Sequence, residues 1–85
     1  MTETEFQLEA LRVKTFLGVG GKDADYWVGY ARGLRRGYHG ERFGSAAEHA
    51  VWMRLADEKD TDQSRRDRGR GYREGLAYAT TKGWA

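Results

Sequence analysis

Ten residues recur in this chain with the same skeleton, Asp-x-x-x-Gly-Tyr-x-x-Gly-Leu. They span Asp25 to Leu34 (DYWVGYARGL) and Asp67 to Leu76 (DRGRGYREGL). Glycine disfavours helices and strands alike, costing about 0.8–1 kcal/mol against alanine in a helix interior. A chain that repeats it one helical turn apart must recover that cost through a contact. Gly29, Gly33 and Gly37 follow one another at intervals of four, as do Gly71 and Gly75. On a helix this spacing strips side chains from one strip of surface, so that a second backbone can approach closely.

The residues around the glycines carry a helical period. Trp27, Tyr30, Ala31, Leu34 and Tyr38 fall at i, i+3, i+4, i+7 and i+11, one face of a helix. The glycines lie beside that face, and Arg32, Arg35 and Arg36 occupy the opposite arc. Around the second copy Tyr72, Leu76 and Ala79 face one way, beside Gly71 and Gly75, while Arg66, Arg70 and Arg73 fall on the far arc. We therefore assign Gly29, Tyr30, Gly33, Leu34, Gly37, Gly71, Tyr72, Gly75 and Leu76 to helix packing. The two motif helices are expected to pack on each other, within one chain or across a dimer axis. The alternative is that the bare strip admits a foreign backbone, phosphate-sugar or peptide.

Two further segments complete the pattern. Thr2-Glu3-Thr4-Glu5 is a capping box, and Phe6, Ala10, Val13 and Leu17 follow at helical spacing, which predicts a helix over 3–17 stopped at Gly18. Phe6, Leu8 and Ala10 also alternate as in a strand, so both readings are open here. Ser45-Ala46-Ala47-Glu48 is a second capping box behind Phe43. It starts a helix with two partly apolar faces, Ala47, Ala50, Val51, Arg54 and Leu55 on one and His49, Trp52, Met53 and Ala56 on the other. Asp23 caps the second helix. Asp60, Thr61, Asp62 or Ser64 caps the fourth, which runs to Lys82 and stops at Gly83, with Trp84 folding back. At 85 residues without proline, the expectation is a single domain over 1–85, an all-α bundle of about four short helices. So small a core benefits from dimerisation, and a homodimer is expected.

Several chemistries find no support. Without cysteine there are no disulfides, thiolate nucleophiles or thiolate metal sites. The two histidines, His39 and His49, lack metal-ligand spacing, and a site would need Glu41 or Glu48 brought in by folding. Ser45 and Ser64 stand at cap positions, the dipole accounts for Asp23 and Asp25 at a helix start, and the VGGKD of 19–23 lacks the spacing of a phosphate-binding loop. No catalytic residue, metal or cofactor is expected. The N-terminal MTETEFQLEALRV has neither a basic start nor an unbroken apolar run, and no stretch is as long as a membrane span, so a soluble cytoplasmic protein is expected.

Binding suits the inventory better. Eleven of the fifteen basic residues are arginine, beside five tyrosines and three tryptophans, the residue types of interface hot spots. Arg32, Arg35, Arg36, Arg66, Arg70 and Arg73 are the candidate partner-binding residues. Tyr26, Trp52, Tyr78 and Trp84 fall at or off the packing stripes, where some should stay exposed beside arginines. The SRRDRGRGYREG run also suggests nucleic acid as a partner, although Asp67 and Glu74 interleave with its arginines and the net charge is only +2. The competing reading is that the arginines form surface ion pairs with Asp57, Glu58, Asp60 and Asp62.

The string W-x-G-Y-x-x-G-L-R-R-x-Y-H-G-x-x-F-G-S-x-x-E-H-x-x-W, within residues 25–55, together with the later RGRGYREGL, resembles small proteins encoded by phages and prophages, among which are anti-CRISPRs. The resemblance covers roughly half the chain. It implies a stoichiometric, non-catalytic inhibitor that binds a bacterial defence complex inside the host cell. Inhibitors of this kind that mimic DNA are strongly acidic and this chain is not, so an arginine surface would carry the contact.

Overall fold

The computed structural model describes residues 1–21, 23–59 and 62–82. It is an all-α bundle of four helices, α1 (Glu3–Val19), α2 (Ala24–His39), α3 (Ala46–Leu55) and α4 (Gln63–Lys82), with one 3-10 turn at Gly40–Arg42; no strand occurs among the described residues. The N-terminal segment, open between helix and strand on its pattern, is a helix. The Thr2 hydroxyl accepts from the Glu5 N–H and the Glu5 carboxylate accepts from the Thr2 N–H, closing the capping box. α1 runs through Gly18 and ends two residues later than the sequence suggests, because Gly20, at φ 74°, takes a positive-φ conformation that terminates it.

Asp23 occupies the N-cap position of α2 without a side-chain cap bond, whereas Ser45 caps α3 through the Glu48 N–H. At α4 the carboxylate of Asp62 accepts from the Arg65 N–H, which singles out Asp62 among the cap candidates; Asp60 and Thr61 lie outside the described residues, as do Gly83 and Trp84. Of the two apolar faces of α3, the one with Trp52, Met53, Ala56 and His49 is half-buried. Ala47, Ala50, Val51 and Arg54 are exposed, and Leu55 is buried between the two.

The centre of the molecule is the contact between α2 and α4. A Cβ placed on Gly29 would overlap the Arg68 carbonyl, and one on Gly33 the Tyr72 carbonyl. Reciprocally, a Cβ on Gly71 would overlap the Tyr26 carbonyl, and one on Gly75 the Tyr30 carbonyl. In each case the glycine meets the carbonyl three residues before its counterpart in the other copy. The register rises along both helices together, so α2 and α4 run parallel and are related by a near two-fold axis between them. Gly37 continues the seam, where a Cβ would lie 2.6 Å from that of Ala79. The motif helices thus pair within the chain, backbone against backbone.

Each motif tyrosine then anchors an outer helix. Tyr30, 5 % exposed, donates to Glu9 of α1 at 2.5 Å; Tyr72, 2 % exposed, meets His49 Nδ1 of α3 at 2.6 Å. α1 lies antiparallel on α2, with Phe6 stacked on Tyr38 at 4.2 Å and Phe16 on Trp27 at 4.5 Å. α3 lies antiparallel on α4, with Trp52 stacked on Tyr72 at 5.5 Å and Leu55 against Gly69. The duplication therefore extends to two helical hairpins, α1–α2 and α3–α4, joined through their second helices.

This packing makes predictions for four substitutions in denaturant unfolding followed by circular dichroism. Gly33→Ala should destabilise the fold by about 3 kcal/mol, since the overlap is with backbone that cannot step aside. Gly18→Ala, on a helical glycine with nothing within 4 Å, should stabilise it by about 0.5–1 kcal/mol. Tyr30→Phe should cost about 1–3 kcal/mol because it takes a donor from a buried carboxylate, and Tyr72→Phe only about 1 kcal/mol.

Candidate functional site

The six arginines assigned to a partner divide into two groups. Arg36 donates to the carbonyls of Phe43 (3.3 Å) and Gly44 (3.0 Å), tying down the turn before α3. Arg73 donates from Nε to the Met53 carbonyl at 2.7 Å and pairs with Asp57 at 2.7 Å, holding the C-terminal end of α3. Arg32 sits over the rings of Trp52 (4.9 Å) and Phe43 (5.5 Å) and faces Glu48 at 3.6 Å. Arg36 and Arg73 are thus engaged inside the bundle and Arg32 is half-engaged, although each keeps part of its side chain at the surface. The physical reason is that α2 and α4 occupy the middle of the bundle. Each is covered on two sides, and α3 lies over the arc in question.

Arg35 and Arg70 are exposed, and Arg66, half-buried, reaches the Lys59 carbonyl at 3.5 Å. Arg35 lines a cleft of about 460 Å³ with Gln7, Leu11 and Lys14 of α1. Arg66 donates to Gln63 Oε1 at 3.1 Å. Arg70, 60 % exposed, reaches Asp67 at 3.5 Å and lies over the Tyr26 ring at 5.4 Å.

Arg70 is one end of a stacked array. Tyr26 stands edge-on to Trp27 at 4.9 Å, and Trp27 stacks on Phe16. The Arg12 guanidinium lies over both Phe16 (5.5 Å) and Trp27 (5.7 Å). The order Arg70, Tyr26, Trp27, Phe16, Arg12 crosses from α4 over α2 to α1, and every member is partly or fully exposed. Arg12 is fixed by two 2.7 Å bonds to Glu9, which is 5 % exposed and also holds Tyr30. That trio satisfies a carboxylate that would be costly to bury alone.

Arg12 and Phe16 were not singled out in the sequence. Their signal is the i, i+4 spacing of an arginine and a ring on α1, beside the Phe6, Val13 and Leu17 face. Tyr26 was expected beside an arginine and lies beside Arg70. Trp52 has its arginine in Arg32 but faces inward on Tyr72. His39 stands edge-on to Phe6 at 5.3 Å.

Other charges fasten the array's surroundings. Asp25 is held below the usual carboxylate range by the Ser64 hydroxyl and by Arg68, whose Nε lies 2.8 Å away. This clamp joins the start of α2 to that of α4. Asp57 is depressed likewise by Arg73. Burial pushes the Tyr26 phenol up to about 12, helped by Glu74, and raises Tyr30 and Tyr72 as well.

Among the described residues no three histidine or carboxylate side chains converge as a metal site, and no helix is long and apolar enough to cross a membrane. The shifted tyrosines set an alkaline limit. A phenol with a folded pKa above its ordinary 10.0 contributes stability that is whole below pH 10 and is lost as pH rises through the folded value. In an alkaline titration, phenolate absorbance from Tyr26, Tyr30 and Tyr72 should lag the free amino acid and then appear together with the loss of helical circular dichroism. Full ionisation of all five tyrosines near pH 10 with the helices intact would contradict the burial described here. Comparison with protein-family models, with curated proteins and with solved structures gives no match for this chain.

Proposed function

We propose that this chain is a non-enzymatic binding protein whose partner contact is the array from Arg70 through Tyr26, Trp27 and Phe16 to Arg12, extended by Arg66. The observation that carries the reading is that array itself. Two guanidinium groups are already ordered on three aromatic rings at the surface, so little side-chain entropy is left to lose when a partner covers them. Arginine and aromatic anchors of this kind supply most of the free energy in protein interfaces. Shallow clefts and caps account for the remaining polar groups without a reaction.

The resemblance of residues 25–55 to phage-encoded proteins gives the proposal its setting: a stoichiometric inhibitor that binds a CRISPR effector complex in the bacterial cytoplasm. The modest net charge of +2 argues for a protein surface over bare nucleic acid. Arginines of the SRRDRGRGYREG run also already face carboxylates, Arg65 with Glu58, Arg68 with Asp25 and Arg70 with Asp67.

The test is a pull-down of the tagged chain from a bacterial lysate carrying a CRISPR system, with and without nuclease. Effector subunits should be captured equally in both arms. Arg70→Glu combined with Arg66→Glu should abolish capture while leaving the thermal melt in place. Capture that disappears with nuclease would replace this reading by nucleic-acid binding, and capture indifferent to both substitutions would remove the array from the interface.

A further inference from the structure

α1 has a second face that nothing in the bundle covers. Phe6, Val13 and Leu17 turn toward α2, whereas Leu8 is 63 % exposed and Leu11 61 %. With Thr4 and Thr15 they form a stripe at spacings of four, three and four, the seam period of a two-stranded coiled coil. Val19, 81 % exposed, prolongs the stripe at its C-terminal end. A solvated helix has no use for leucines in this register, and the stripe borders two clefts, one lined by Glu3, Thr4, Gln7, Leu8 and Leu11 and the other containing Leu11, Lys14 and Arg35.

The charges along α1 select the occupant. The first half of the helix carries Glu3 and Glu5 and the second half Arg12 and Lys14. Glu5 and Arg12 flank the stripe on one side, Gln7 and Lys14 on the other. Two copies aligned in the same direction would set acidic halves together and basic halves together. In the opposite direction Leu8 of each copy meets Leu11 of the other, Thr4 meets Thr15, Glu5 comes opposite Arg12, and Gln7 comes opposite Lys14. Each pairing occurs twice by symmetry. The stripe is complementary to itself, reversed.

We infer that the exposed face of α1 is a self-association surface on which a second copy of this chain packs antiparallel through Leu8 and Leu11. This surface is separate from the α2–α4 seam, which is satisfied within one chain. It also supplies the assistance that a core as small as this one gains from association.

The experiment uses the full chain, which has no cysteine of its own. Sedimentation equilibrium should give a species of about twice 9.7 kDa. Leu11→Glu, at an exposed position, should raise the dissociation constant about a hundredfold or more with the helical circular-dichroism spectrum unchanged, because the contact is lost twice while the monomer fold is kept. Orientation is read by oxidation: a mixture of Thr4→Cys and Thr15→Cys chains should form the mixed disulfide. Thr4→Cys alone should not, because its two copies would stand about 16 Å apart along the helix axis while a disulfide needs Cα atoms within about 7 Å. A monomer at all concentrations, a dimer untouched by Leu11→Glu, capture of a foreign helix in place of the second copy, or a Thr4→Cys homodimer would each overturn the proposal.

Discussion

The structure depends on the distance between two backbones. α2 and α4 touch along a line of glycines where each copy of the motif receives the carbonyls of the other. Such an approach gives dispersion contacts between main chains that no pair of side chains could supply at that separation, and it repays the helix-forming penalty of the glycines. Because the contact is reciprocal, it fixes register and direction together. Sliding one helix by a residue would drive Tyr30 or Tyr72 into the seam in place of glycine. Parallel alignment in turn obliges the chain to travel back between the two motif helices, and α3 is that return. The four-helix topology follows from the seam.

The duplicated hairpins have diverged in what their tyrosines hold. Tyr30 meets a buried carboxylate that is shared with Arg12, an arrangement of three polar groups whose removal one at a time strands a charge. Tyr72 meets the His49 imidazole on the shorter α3. The α3 hairpin compensates with arginines from both central helices, Arg36 at one end of α3 and Arg73 at the other. Asp25 clamps to Arg68 across the seam, whereas Asp67 bonds within its own helix, to Gln63 at 2.8 Å. The part of the repeat that does the same work in both copies is therefore Gly-Tyr-x-x-Gly, which makes the seam and the anchor, whereas Asp25 bridges the central helices and Asp67 bonds within its own.

Most of this architecture was legible because periodicity and capping are local. The spacing of Trp27, Tyr30, Leu34 and Tyr38 can be satisfied only by a helix, and Thr2 and Ser45 announce their helices through bonds to the third residue on. The arginines were not legible in the same way. Angular position on a helix says that Arg32, Arg36 and Arg73 lie away from the glycine strip; it does not say what a later segment will lay over them. α3 is ten residues long and its course is set by the return connection, so the fate of those arginines was decided by topology. Arg12 was hidden for the opposite reason: its stacking on Phe16 is local to α1, but its meaning appears only once Trp27 arrives from α2.

Arg12 also shows why the surface functions of this chain cannot be separated from its core by substituting any exposed arginine. Its guanidinium satisfies buried Glu9, covers two rings of the proposed partner face and stands at the edge of the leucine stripe of α1. A change there would disturb folding, partner contact and self-association together. Arg70 reaches Asp67 and the open face of Tyr26, and the Leu11 side chain lines the two clefts beside α1. If α1 pairs with itself, the partner faces of two copies flank the same seam, and a target presenting two equivalent surfaces would be held at both with an affinity neither contact has alone.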